Sequence, residues 1–341
     1  MMADEFYRLF INEGEDFKPV DIEKKHITSE FFQQAINEDN PSKFWQNFPF
    51  PFFIQYGLPQ LAISEINRVL HECINIDHEA YIKYHKGNPY YWLGFSYFVL
   101  QDYQSACFFM DAAVREDLNR EPVNYPSPAT YFIELDSNPE TQAGRDLVKF
   151  AEKIVIDQIA HYNQLFNTQY TISDIRDNFL KRATKPQSPT LQSLATAFIS
   201  FTLEFNKRNM ELVLVDNPNS KEPLLLHLFK GCVLLESLLK TNPLMPLAKD
   251  NLTLGPILQL LHTQLGIIND INTRSPSLQD VINQLKDFDK SLDMSFEITA
   301  KTRNTVGHSL AWEINMDIDQ YKKLYDIIFI CCLHVIFTLY N

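Results

Sequence analysis

Along most of this chain, apolar residues recur at steps of three and four, and no Val/Ile/Thr-rich alternation persists, so the pattern predicts an all-α protein. A helix is predicted over about Leu58 to Ile74, approached through the proline-broken, extended stretch FWQNFPFPFF, Phe44 to Phe53. NPYYWLGFSYFVLQDYQSACFFMDAAVRED then predicts two antiparallel helices packed through small residues. The Pro-rich connection REPVNYPSPATYF follows, and Glu140 to Phe166 predicts one long amphipathic helix. Next comes KRATKPQSPT, Lys181 to Thr190, with two prolines among small polar residues and no apolar period. It is read as a boundary between an N-terminal domain, residues 1–185, and a C-terminal one, residues 190–341.

Four or five helices are predicted beyond that boundary. They run from about Thr190 to Glu211, Pro223 to Leu239, Pro256 to Ile268, Ser277 through the stretch Arg303 to His308, and Asp317 to Leu339, lengths that suit an antiparallel bundle. Ile327 to Asn341 contains no Asp, Glu, Lys or Arg. It is shorter than the ~18 apolar residues of a spanning helix, so it is expected in a core or a subunit interface rather than in a membrane.

Within the two-helix stretch, Leu93-Gly94, Tyr97, Ala106 and Ala113 fall at the spacings of a tetratricopeptide repeat, and about Asn88 to Leu118 resembles one such unit. Tyr90 stands where that pattern carries Trp, Met110 where it carries Phe, and no equally good second repeat flanks the first. A plain helical hairpin and an array of degenerate repeats both fit. Either implies a scaffold or a surface for a protein partner.

Composition narrows the functions. With 341 residues, 45% of them hydrophobic, the chain can fill two cores. A formal net charge of -13 makes the molecule repel polyanions as a whole, so any nucleic-acid contact must be local. Residues 1–189 carry 17 Lys+Arg against 27 Asp+Glu, and residues 190–341 carry 13 against 16, so the C-terminal part is the less repulsive. Cys73, Cys107, Cys232, Cys331 and Cys332 lie in apolar helical patterns without a C-x-x-C pair, as small core residues of a reducing compartment do. The opening MMADEFYRLFINEGED lacks the basic and apolar regions of a signal peptide, and a cytoplasmic location is expected.

The candidate chemistry is concentrated in TAKTRNTVGHSLAW, residues 299–312. On a straight helix, five residues turn a side chain by about 500°, or ~140° net, so Arg303 and His308 would point apart. Gly307 would instead share a face with Arg303. Either the two are unrelated surface groups, or the helix is interrupted at Gly307 and they meet; Gly, which costs about 1 kcal/mol inside a helix, favours the interruption.

Arg303-Asn304-x-x-x-His308, framed by an amphipathic helix and a last apolar helix, resembles the R-x(4–6)-H motif of HEPN domains. LLHLFKGCVLLESLLK, Leu224 to Lys240, is similar to their earlier core helix, and RNTVGHSLAWEINMDIDQYKKLYDIIF to their polar turn and Tyr-rich final helix. The resemblance covers about Thr190 to Asn341. It implies an all-α bundle, a two-fold homodimer with the motifs facing each other, and a metal-independent endoribonuclease, with Arg303, His308 and Asn304 catalytic. Histidine, with an ordinary pKa near 6.5, suits proton transfer from a ribose 2′-hydroxyl, and an always-charged forked arginine suits the phosphate. No metal is needed when the nucleophile lies beside the phosphate, and a 2′,3′-cyclic phosphate product is expected.

Glu236 has Cys232, Val233 and Leu239 as near neighbours, so its carboxylate wants a partner. Lys240 at i+4 is one, and Arg303 or Asn304 is the other, in which case Glu236 supports the site. Asn304 could equally serve local hydrogen bonding, and His227, Lys230 and His262 are read as solvated or packing residues. The acids of NQLKDFDKSLDMSFE are read as a solvated face. No H-x-x-x-H or C-x-x-C spacing, P-loop or G-x-G-x-x-G appears, so neither metal nor other cofactor is expected. Two functions follow: an RNA-cleaving enzyme of a prokaryotic defence or toxin-type system, or a non-catalytic helical-repeat scaffold with a HEPN-like dimerisation module.

Overall fold

The computed structural model describes residues 25–38, 41–119, 128–137, 142–186, 189–215, 220–243, 252–274, 277–307 and 316–341. Among them every regular element is helical and none is a strand, as the three-and-four spacing predicts. Contacts divide the chain into two compact units, Met1–Lys149 and Phe150–Asn341.

The first unit contains α1 (Ser29–Glu38), α2 (Pro41–Trp45), α3 (Phe50–Gln55), α4 (Pro59–Ile76), α5 (His78–Lys83), α6 (Gly87–Val99), α7 (Tyr103–Leu118) and α8 (Pro128–Glu134). The stretch expected to be extended, Phe44 to Phe53, is mostly helical instead. Its prolines sit at first turns, where a fixed φ suits the helix and no amide donor is lost: Pro49 precedes α3 and Pro51 lies in its first turn. Phe44 then stands at the centre of an aromatic core, with the rings of Phe32, Trp45, Phe48 and Tyr84 at 4.8 to 5.7 Å.

α6 and α7 form the expected hairpin. Gly94 allows their close approach, since a Cβ there would stand 3.1 Å from the Ala106 carbonyl oxygen. Asp102 caps α7 by accepting from the Ser105 amide.

α9 (Gln142–Phe166) crosses the division between the units. The second unit continues with α10 (Ile172–Ile175), a π-helical turn (Arg176–Leu180), α11 (Lys181–Ala183), α12 (Pro189–Leu214), α13 (Glu222–Thr241), α14 (Leu254–Leu261), α15 (Leu278–Gln284), α16 (Leu292–Val306) and α17 (Ile318–Leu339). The expected boundary segment, Lys181 to Thr190, therefore lies inside a unit. Residues before it pack on α17, where Tyr162 Oη donates to His334 Nδ1 at 2.8 Å and Tyr170 stacks on Phe337 at 4.0 Å, and within it Arg182 donates to the carbonyl of Tyr340, just past α17, at 2.8 Å. The single helix expected from Ser277 through Arg303 is two, because Lys290 takes a left-handed φ of 64° and Ser291 starts α16 by accepting from the Met294 amide.

From Ile327 onward α17 is apolar on nearly every side and must be surrounded. α12, α13 and α16 pack around it, and Ile327 to Leu339 is buried but for Thr338. No helix among the described residues is long and apolar enough to cross a membrane. The five cysteines are free thiols in the cores.

Two buried histidines tie this packing together. The Phe201 carbonyl can only accept, so His227 Nε2 donates to it at 2.8 Å and Nδ1 accepts from the Tyr321 hydroxyl at 2.7 Å, joining α12, α13 and α17. His334 repeats the arrangement with the Leu265 carbonyl at 2.9 Å and Tyr162.

Two outcomes are expected. A Cβ at Gly231 of α13 would stand 2.6 Å from Phe201 Cε2 and 2.8 Å from Ile328 Cγ2, so Gly231→Ala overfills the core. It should cost about 1–3 kcal/mol and lower Tm by several degrees in a thermal melt. Burial, only partly offset by the Phe201 carbonyl and Glu204, lowers the His227 pKa from 6.5 to about 4. The fold holds the neutral ring, so its contribution is complete above pH 6.5 and is lost as pH falls towards 4, by about 3 kcal/mol at most. Urea midpoints should fall over that window, and less steeply in His227→Gln.

Candidate functional site

α16 lies against α13 and α17 through a side made of Ser295, Thr299, Thr302 and Thr305. Each hydroxyl donates to the carbonyl one turn back, which satisfies these buried groups locally, and Thr299 Oγ1 also meets Cys331 Sγ of α17 at 3.5 Å. The small side chains let α13 approach. Cys232 Sγ contacts the Thr299 carbonyl at 3.6 Å, and one turn further along both helices Glu236 meets Arg303.

The Glu236 carboxylate serves two cations at once. Its Oε2 accepts from Arg303 Nε at 3.0 Å and its Oε1 from Lys240 Nζ at 2.8 Å. Glu236 is nearly buried, with 10% of its side chain exposed, while Arg303 and Lys240 reach outward with 25% and 23%. The two partners weighed from the sequence are thus both present, one on each oxygen. One acid between two bases leaves the cluster with one net positive charge. Arg303 also sits in the last turn of α16, where the helix dipole favours a cation.

Arg303 is held at two of its three nitrogens. Nε is spent on Glu236 and Nη1 makes a long contact of 3.4 Å with Asn304 Oδ1, while Nη2 has no hydrogen-bond partner among the described residues. An arginine positioned by a buried carboxylate and with donors left over can take an oxyanion such as phosphate.

Asn304 faces elsewhere: its Nδ2 donates to the Thr273 carbonyl at 3.0 Å. That bond is the last of several holding residues 268–274 along α16. Asp293 accepts from the amides of Ile268 and Asn269, each at 3.0 Å, and Glu297 from the amide of Asn272 at 3.3 Å. Asp293, Glu297 and Asn304 lie on one helical stripe, and Lys301 on the same stripe braces Glu297 at 2.6 Å. Burial pushes the Glu297 carboxyl up in pKa, but hydrogen bonds from Lys301 and Gln284 outweigh it and the net shift is downward. Two of the acids expected on a solvated face are therefore anchors, a role that their four-residue spacing could have suggested but whose partner it could not.

α16 ends at Val306, and Gly307 keeps a right-handed φ of -63°, donating to the Arg303 carbonyl at 3.0 Å. No left-handed turn demands glycine there. The close approach of α13 does, since a Cβ on Gly307 would stand 3.1 Å from Phe229 Cε2. His308 lies outside the described residues. Of the other residues singled out, His227 is buried in the core, Lys230 pairs with Glu204 at 3.3 Å, and His262 is exposed, bonded to the Gln259 carbonyl.

Glu236→Gln keeps the shape and removes the charge shared by Lys240 and Arg303. A loss of about 1–3 kcal/mol is expected in urea denaturation, smaller at high salt because both cations are partly solvated. Combined with Arg303→Gln, the loss should be clearly less than additive, as for residues in direct contact. Comparison of the chain with protein-family models, with curated proteins and with solved structures finds no match.

Proposed function

We propose that the second unit is a metal-independent endoribonuclease of the HEPN type. The observation that carries this reading is the Glu236–Arg303 pair: a buried carboxylate fixes the guanidinium through Nε and leaves Nη2 without a partner among the described residues, five residues before His308. Arg303 holds the non-bridging oxygens of the scissile phosphate and offsets the charge that gathers on them during attack. His308 takes the proton from the ribose 2′-hydroxyl as its oxygen bonds to phosphorus, and a proton returns to the departing 5′-oxygen. The strand ends as a 2′,3′-cyclic phosphate and a 5′-hydroxyl.

Asn304 acts as a positioning residue in this reading. It joins Arg303 to the 268–274 segment and so sets the orientation of the guanidinium from the side opposite Glu236. A homodimer through the second unit would bring two Arg/His sets together about a two-fold axis. The first unit, a helical hairpin on an aromatic core, serves as a partner or trigger surface. Prokaryotic defence or toxin systems are the setting that the HEPN resemblance implies, and a cytoplasmic location goes with it.

Charge distribution favours a competing reading, the non-catalytic scaffold. Residues 1–149 carry 12 Lys+Arg against 23 Asp+Glu, whereas residues 150–341 carry 18 against 20. Acid in the first unit would slow the approach of RNA, and near balance in the second leaves a local cation cluster able to act.

The purified chain is expected to cut mixed RNA in the presence of EDTA. Arg303→Ala and His308→Ala should each lower kcat by about 10²–10⁴-fold, the range of general acid–base help, at nearly unchanged melting temperature. Gel analysis with end-group mapping checks this. Equal cutting by native protein and both variants would hand the function to the scaffold reading.

A further inference from the structure

The second unit contains five arginines, all among the described residues: Arg176, Arg182, Arg208, Arg274 and Arg303. Four donate to protein acceptors. Arg176 pairs with Glu152 at 3.0 Å, Arg182 donates to the Tyr340 carbonyl, Arg208 pairs with Glu204 and Glu211, and Arg303 with Glu236. Arg274 is exposed, and its guanidinium makes no hydrogen bond or ion pair among the described residues. In a chain with 43 acids against 30 bases, an arginine without a carboxylate among the described residues is a departure.

Its backbone, by contrast, is held from several directions. The Arg274 amide donates to Asn272 Oδ1 at 3.1 Å, and the Asn272 amide in turn donates to Glu297, which Lys301 and Gln284 brace. The preceding carbonyl, that of Thr273, accepts from Asn304 Nδ2 at 3.0 Å. The Thr273 side chain abuts α14, where a Cβ on Gly255 would stand 2.9 Å from Thr273 Cγ2. Standard peptide geometry then puts the Arg274 Cα within ~6 Å of the Asn304 amide nitrogen. Asn304 is next in sequence to Arg303 and touches its guanidinium. The segment thus carries Arg274, a permanently charged residue whose guanidinium has no partner among the described residues, on a backbone fixed next to Asn304 before any ligand arrives.

We propose that Arg274 is a second phosphate contact of the site, one that takes the backbone phosphate next to the scissile one and sets the register of single-stranded RNA across Arg303. This rests on the nuclease reading above. A guanidinium suits the task because it stays charged and can grip two phosphate oxygens together. A mounting on a pinned backbone lowers the ordering cost of binding.

The test uses the full chain in EDTA and a 2′-O-methyl single-stranded RNA oligonucleotide, which lacks the nucleophile and can be bound but not cut. Arg274→Gln should weaken binding several-fold at low salt and reduce the slope of log K against log salt by about 0.7, the value of one phosphate contact on a single strand. Arg274→Lys should keep most of the slope. Lys290→Gln, at the far end of α16, serves as the control for general charge and should leave it unchanged. On unmodified RNA, KM should rise by more than kcat falls. Since Arg274 is exposed, unchanged melting of Arg274→Gln is expected and excludes a folding defect. An unchanged slope in Arg274→Gln, with native protein that still cuts RNA, overturns this proposal alone. Native protein that neither binds nor cuts RNA overturns the nuclease reading and the role of Arg274 with it.

Discussion

Everything in the second unit depends on the burial of α17. A stretch such as Ile327 to Leu339, apolar on nearly every face, cannot lie at a surface, so α12, α13 and α16 are drawn around it, each lending one face. At about 1.5–3 kcal/mol for each large apolar side chain removed from water, this enclosure is the main favourable contribution to the unit. It also dictates which polar groups must be satisfied inside: His227 and His334 each bond at both ring nitrogens, and the threonines of α16 bond back to their own helix. Packing α13 and α16 side by side against one helix brings residues 236 and 303 to 3.0 Å.

The ion pair so formed is not explained by stability alone. Removing Glu236 from water carries a desolvation cost that its two cations only partly repay, and a well-packed apolar residue would serve the core as well. What the arrangement achieves is orientation. The guanidinium of Arg303 is fixed at Nε and, through Asn304, tied to the 268–274 segment, so it cannot swing freely on its aliphatic stem. On the nuclease reading proposed above, fixing the guanidinium before substrate arrives lowers the reorganisation needed when charge develops on a phosphate.

The same side of α16 serves two ends. Its outward stripe of Asp293, Glu297, Lys301 and Asn304 uses carboxylates, an ammonium and an amide to hold an irregular segment whose backbone groups have no helix or sheet to pair with. That segment includes Arg274. The anchoring of the segment and the support of Arg303 both run through Asn304, and a change there would be felt on both sides of it.

The amino-acid sequence by itself determined the helical class, the extents of α12, α13 and α17 to within a few residues, the hairpin of α6 and α7, and Arg303 with Glu236 as residues of interest. All of these follow from local periodicity, from caps such as Asp317, or from a carboxylate set among apolar neighbours. The break between α15 and α16 was not legible, because the three-and-four spacing continues across Lys290 while its left-handed φ leaves no mark on the pattern. The prolines of Lys181 to Thr190 mark a turn and carry no information about what α9 packs against, so the division between units was decided only by long-range contacts of Tyr162, Tyr170 and Arg182. The tertiary structure alone decided that Glu236 takes both Lys240 and Arg303, that Asp293 and Glu297 are anchors and not solvated charges, and that Arg274 stands beside Asn304. Each of those pairings, apart from the i+4 step to Lys240, joins residues on different elements, and a one-dimensional pattern reports which face a side chain occupies but not what the folded chain sets opposite it.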